Sequence, residues 1–171
     1  GLQHQDGHGH LLYSAVPNCR AYDPAYAYEL AVIIRDGLQR MYHDGEDVFY
    51  YITLYNENYP QPPMPEGAEA GIIDGVYLAH PAPEGQQRRA DILASGTGML
   101  AAVEAQRILA EQHGVGANIW SVTSWRLLRD DALEAERWNR LHPGAEPRVP
   151  LITRALEGAG PVVSVSDNIK S

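Results

Sequence analysis

The chain has 171 residues, enough for one ordinary domain or parts of two, and enough to build a core without disulfide or metal staples. Thirteen Lys and Arg against 22 Asp and Glu leave a formal charge of −9 and a pI near 5.1, which excludes broad electrostatic binding to nucleic acid. Cys19 is the single cysteine, so an internal disulfide framework and a multi-cysteine zinc site are excluded. With no basic-then-apolar leader and no apolar run near the ~20 residues that span a bilayer, the expectation is a cytoplasmic chain with neither membrane nor nucleic-acid partner.

Gly1–His10 holds three His and three Gly without apolar periodicity and reads as a loop, followed by a short helical turn at Leu11–Ala15. Pro17–Tyr22 reads as a short strand. Asp23-Pro24 then supplies an N-cap followed by Pro at the first helical position. A helix is predicted from Pro24 to about His43, because Ala27, Leu30, Ala31, Ile34, Leu38 and Met41 repeat on one face of a 3.6-residue period. Gly45 lies just past its end. Val48–Tyr55 is β-branched and aromatic without polar alternation, which predicts a strand buried on both faces. Strand, helix and strand together make a βαβ unit and predict a parallel sheet.

Tyr59–Gly67 contains four prolines and reads as an extended connection, so a domain boundary is placed there. Beyond it the pattern restarts. Gly71–Leu78 is expected as a strand, Pro81–Arg89 as a polar turn region and Ala90–Ala94 as a strand. A helix capped by Ser95 or Thr97 then runs to His113, with Ala101, Ala105, Ile108 and Leu109 on one face and Gly114 ending it. Ala117–Val122 follows as a strand. Trp125, Leu128, Ala132, Ala135 and Trp138 recur at helical spacing, His142-Pro143-Gly144 stops that helix, and Val162–Val165 closes as a short strand. The three tryptophans read as packing groups. A chain that opens in a loop without Met and stops shortly after an apolar run is expected to be a piece of something longer.

Three segments could carry chemistry. The first is His4, Asp6, His8 and His10. Imidazole gives or takes a proton near neutral pH, and a neighbouring carboxylate can fix its tautomer. Catalysis or substrate binding, metal ligation and a solvated loop all remain open from spacing alone, although Gly7 and Gly9 argue against a rigid zinc site. The second is Gly96-Thr97-Gly98-Met99-Leu100-Ala101, which fits a dinucleotide fingerprint between a strand and a helix. The acid that should follow near Trp120–Ser124 is absent, so a tight strand-to-helix turn packed on its sheet is the favoured reading. The third is Tyr55-Asn56-Glu57-Asn58-Tyr59, at the carboxyl end of a strand, where ligands gather in open α/β sheets; these are also ordinary turn residues.

Together, Gly1–His10, Val16-Pro17-Asn18-Cys19, Tyr22–Glu29, Val48–Thr53, Tyr55–Tyr59, Met64–Gly67, Ser121–Ser124 and Glu136–Pro143 resemble the homodimeric bacterial pyruvate dehydrogenase first component, of the transketolase-like superfamily. The likeness spans the chain in one register. It implies an α/β fold: residues 1–59 as the later half of a parallel-sheet pyrimidine-binding domain, a proline-rich linker at 60–70, and an incomplete transketolase C-terminal-like domain at 71–171. It implies thiamine diphosphate and Mg2+ as cofactors, pyruvate as substrate, and two macromolecular partners: a second copy of the subunit and the lipoyl-bearing dihydrolipoamide acetyltransferase. His10 falls on the family's active-site histidine and Asp6 on the acid of the same loop, while His8, His4 and Asn56 are expected on the substrate side. Gly9 stands where many relatives carry Ser, which should loosen the loop. The family's activating glutamate and its Gly-Asp-Gly…Asn segment for metal and diphosphate lie upstream of Gly1, so no metal ligand is assigned here. The 171 residues alone are therefore expected to be inactive, with apolar surface exposed. The rival enzyme readings are another thiamine-dependent 2-oxo acid dehydrogenase or a transketolase. The rival of another class is a non-catalytic metal-binding or interaction module built on the histidines.

Overall fold

The computed structural model describes residues 7–56 and 58–168. The chain folds as a mixed α/β protein. Helix α1 (Gly9–Tyr13) leads into β1 (Cys19–Tyr22), α2 (Ala27–Leu38) with a π-helical turn at Gln39–His43, and β2 (Phe49–Ile52). Then come α3 (Glu69–Asp74), β3 (Tyr77–His80), β4 (Arg88–Ala94), α4 (Gly98–His113), β5 (Val115–Ser121), α5 (Trp125–Leu141), α6 (Leu151–Ala155) and β6 (Val162–Val165).

β1 and β2 pair in parallel, Cys19 opposite Phe49 and Tyr22 opposite Ile52, with α2 as the crossover. This is the predicted βαβ unit. The other four strands form a sheet of order β3-β5-β4-β6, in which β4 runs parallel to both β5 and β6 while β3 runs antiparallel to β5.

One core unites the two sheets: Tyr22, Ile33, Ile72, Tyr77, Ile92, Met99 and Ile119 pack in a single buried cluster. Backbone bonds join the strand ends: Asp23 donates to the Thr123 carbonyl at 2.7 Å, Gly96 to Asp23 at 3.2 Å and Val122 to Ala94 at 2.8 Å. The carboxyl ends of β1, β4 and β5 therefore meet, the location where α/β sheets gather functional groups.

Several expectations change. α2 begins at Ala27 rather than Pro24, because Asp23 spends its carboxylate elsewhere and Glu29 takes over the cap, accepting from the Ala25 and Tyr26 N–H groups at 2.5 and 3.0 Å. Its buried face carries Glu29, Val32, Ile33 and Gly37, while Ile34 and Leu38 of the expected stripe are 46% and 53% exposed. Gly37 belongs to the inner face because the Tyr50 ring would lie 3.4 Å from a Cβ there. β2 is shorter than expected and half-buried, since among the described residues β1 is its single neighbour. Gly71–Leu78 divides into the end of α3 and the start of β3, split by Gly75 at φ +111°. In α4 the buried positions are Gly98, Met99 and Ala102, with Ala105 and Leu109 packed beside the core; Ala101 faces outward. Gly114 does end α4, at φ +62°.

Candidate active site

β1 and β2 end side by side, and their next residues, Asp23 and Thr53, form the centre of the site. Asp23 is fully buried. Its Oδ1 accepts from the Thr53 hydroxyl at 2.6 Å and the Tyr55 hydroxyl at 2.7 Å. Its Oδ2 accepts from the Ser95 hydroxyl at 2.7 Å and the Asn168 amide at 3.2 Å. Four donors thus fill the acceptor positions of one carboxylate, which offsets the cost of burying it. They come from the ends of β2 and β4 and from the segment after β6, so one side chain ties both sheets together.

His10, on α1, reaches this network: its Nε2 lies 3.2 Å from the Thr53 hydroxyl oxygen. The ring meets Tyr51 edge-on at a centroid distance of 5.3 Å, and Tyr13 packs on the same Tyr51 at 4.3 Å. Arg126, buried near the start of α5, clamps the chain that follows α1 by donating to the Tyr13 carbonyl and, at 2.8 Å, to the Val16 carbonyl. Its Nε–H donates to Asp130 at 3.0 Å.

An open cleft of about 870 Å³ lies over this arrangement, lined by Gly7, His10, Leu11, Trp125, Arg129 and Asn168 among others. Trp125 donates its indole N–H to Ser95 at 3.0 Å, so the floor of the cleft and the Asp23 network are continuous.

A second buried carboxylate lies deeper. Glu29 accepts from the Tyr77 and Ser121 hydroxyls, both at 2.6 Å, in addition to its two backbone donors. Burial raises its pKa, against the pull of those four donors.

Of the predicted site residues, His10 lies at the cleft wall, His8 is exposed one turn-edge away, and Asn56 is exposed three residues beyond Thr53. His4 and Asp6 lie outside the described residues. Sequence reasoning missed Asp23, taken as a helix cap, Thr53, taken as strand interior, and Arg126, hidden in a charged helix. The one available signal was Asp23 itself, a carboxylate at the end of a buried strand.

The glycine-rich turn is packed shut. Gly96 adopts φ +50°, and a Cβ there would meet the Tyr55 hydroxyl at 2.3 Å; one at Gly98 would meet the Val165 carbonyl at 3.1 Å. Side chain and backbone already occupy the space a phosphate would need, as the packed-turn reading expects. Among the described residues, no set of three or more His, Cys, Asp or Glu could hold a metal ion. No helix among them is long and apolar enough to cross a membrane.

Comparison with known proteins places this geometry in a family. Residues 1–62 match the family described as "Pyruvate dehydrogenase E1 component middle domain", and residues 75–171 match "Transketolase-like TK C-terminal domain". Curated relatives named "Pyruvate dehydrogenase E1 component" include those of Pseudomonas aeruginosa, Escherichia coli K12 and Mycobacterium tuberculosis, 52%, 50% and 49% identical over 99%, 99% and 98% of this chain. The chain spans 19%, 19% and 18% of their respective lengths. A crystal structure of a transketolase variant from Pichia stipitis superposes with a TM-score of 0.65 over 97% of this chain and 21% of that one; at 18% identity it establishes the fold. The chain therefore belongs to the transketolase-like family, and along its whole length it is homologous to a segment of the pyruvate dehydrogenase E1 component.

Proposed function

We propose that this chain forms part of a thiamine diphosphate- and Mg2+-dependent pyruvate dehydrogenase, with His10 and Asp6 as its contribution to catalysis and His8, His4 and Asn56 on the substrate side. In this reading residues 1–59 complete a pyrimidine-binding domain, 60–70 form a linker, and 71–171 begin the C-terminal domain. The two family matches, at 1–62 and 75–171, support the division. The observation that carries the functional reading is His10: an imidazole held by the Thr53 hydroxyl on the wall of an open cleft, in a chain about half identical to pyruvate dehydrogenase E1 components.

The residues present fit the substrate-facing end of the cofactor and not its diphosphate. The turn at Gly96–Gly98 is filled by Tyr55 and Val165, which supports a diphosphate and metal site on polypeptide outside this sequence. When bound, thiamine diphosphate supplies the carbanion-stabilising chemistry of 2-oxo acid decarboxylation. What this chain supplies is positioning and proton transfer. His10 can orient the substrate carboxylate or hydrogen-bond the oxygen on which charge develops, and can carry a proton to or from it. Arg129, at the cleft lining, places a positive group near the same space. Arg126 and Tyr51 keep α1 against the sheet so that His10 does not swing away.

The remaining partners of this reading are a second copy of the subunit and the lipoyl-bearing acetyltransferase, and the compartment is the cytoplasm. The test is an assay of the full-length protein with thiamine diphosphate and Mg2+, offered pyruvate, longer 2-oxo acids and a ketose phosphate. Acetyl transfer to a lipoyl domain from pyruvate, well above the other substrates, is expected. Preference for a ketose or a longer oxo acid would replace the substrate, and no turnover of any of them would refute the reading.

A further inference from the structure

We infer that Asp23, acting through the Thr53 hydroxyl, is a positioning residue that fixes the tautomer of His10, holding the neutral ring with its proton on Nε2. The inference rests on the reading of His10 as an active-site group.

A threonine hydroxyl has one proton and two acceptor positions. Asp23 Oδ1 at 2.6 Å, the Tyr22 carbonyl at 3.2 Å and His10 Nε2 at 3.2 Å compete around the Thr53 oxygen, beside the Tyr55 hydroxyl, whose own proton goes to Asp23. The carboxylate and the carbonyl can only accept. The shorter, charge-assisted bond takes the proton, so Thr53 donates to Asp23. Thr53 then has only lone pairs to offer His10, and a 3.2 Å contact between them is a hydrogen bond only if Nε2 carries the hydrogen. The lone pair of the neutral ring consequently sits on Nδ1, so the Thr53 contact selects one of the two tautomers.

The direction of this chain cannot easily reverse, because Asp23 is over-determined. Trp125 N–H, a donor only, points to Ser95 at 3.0 Å, which leaves the Ser95 proton for Asp23 Oδ2 at 2.7 Å. Tyr55 and the Asn168 amide complete the set at 2.7 and 3.2 Å. Turning Thr53 around would leave a buried carboxylate position without its nearest donor, at a cost larger than a neutral hydrogen bond returns. Ser95, Trp125 and Asn168 lie on the C-terminal sheet side, so that half of the chain sets the protonation geometry of a histidine carried by the N-terminal half.

The test uses the full-length protein with 15N-labelled histidine, the His10 resonances being assigned by their loss in His10→Gln. Solid-state NMR of the neutral ring should show protonated Nε2 and unprotonated Nδ1. In Thr53→Val, which keeps the backbone bond to Tyr22 and the side-chain shape, both tautomers should appear, and kcat for acetyl transfer should fall about tenfold with KM little changed. Thr53→Ser should restore the Nε2–H signal and most of kcat. A wild-type ring protonated at Nδ1, or a Thr53→Val protein whose tautomer is unchanged at any level of turnover, would overturn the relay. Unimpaired turnover of His10→Gln would instead refute the active-site reading, and the NMR result would still decide the tautomer.

Discussion

Ser121, the last residue of β5, donates a 2.6 Å hydrogen bond to Glu29 on α2 across 92 residues of sequence. The two halves of the chain are thus joined by buried carboxylates as well as by apolar packing: Glu29 within the core and Asp23 at the cleft floor. Each has four donors and neither faces solvent.

Glu29 should leave a signature in the pH dependence of stability. Burial raises its pKa above the ordinary 4.5, so between that value and the raised one the folded chain holds a proton that the unfolded chain lacks. Stability then falls as pH rises through that window and levels off above it. In Glu29→Gln the amide oxygen can accept from Ala25 and Tyr26 while the NH2 donates to Ser121 and Tyr77, so the variant should fold and lose this slope. Glu29→Ala should cost about 3 kcal/mol or more, because it strips buried donors of their acceptor. Thermal unfolding followed upward from pH 4.5 checks both.

His80 predicts the opposite slope. Burial lowers its pKa below 6.5, and its Nε2 lies 2.8 Å from the Tyr26 hydroxyl. Between the lowered value and 6.5 the unfolded chain binds more protons, so stability falls as pH drops through that window. His80→Gln should remove this contribution from the same unfolding profile.

Asp23→Ala should destabilise by about 3–5 kcal/mol, since it leaves four inward-facing donors without their shared acceptor. Ser95→Ala alone should cost about 1 kcal/mol. The double variant should cost little more than Asp23→Ala, because the two changes remove one network. Denaturant unfolding of the three variants gives the coupling.

Gly96→Ala should be costly for two separable reasons. A left-handed conformation penalises alanine by about 1–2 kcal/mol, and the added Cβ displaces Tyr55 from Asp23. Adding Tyr55→Ala should remove the overlap and leave the backbone penalty, so the double variant should remain less stable than Tyr55→Ala. The same unfolding measurements separate the two contributions.

Much of the architecture was legible because it follows local rules. The βαβ unit, the strand–turn–helix at Ala94–Gly98 and the glycine end of α4 come from apolar runs and glycine placement. The inner face of α2 was not legible. It is built from Glu29 and Gly37, one polar and one without a side chain, so a count of apolar residues selects the exposed Ile34 and Leu38 instead. His10 came from resemblance and not from spacing. Its supports were invisible because Thr53 and Asp23 acquire their roles only when β1 and β2 end side by side, a consequence of parallel register and not of any motif.

The most direct test of the central claim is kcat for pyruvate-dependent acetyl transfer by the full-length protein, wild type against His10→Ala. A positioned acid–base group is typically worth ~10²–10⁴ in rate, so a fall of at least about tenfold is expected. Wild-type turnover in His10→Ala would contradict the account.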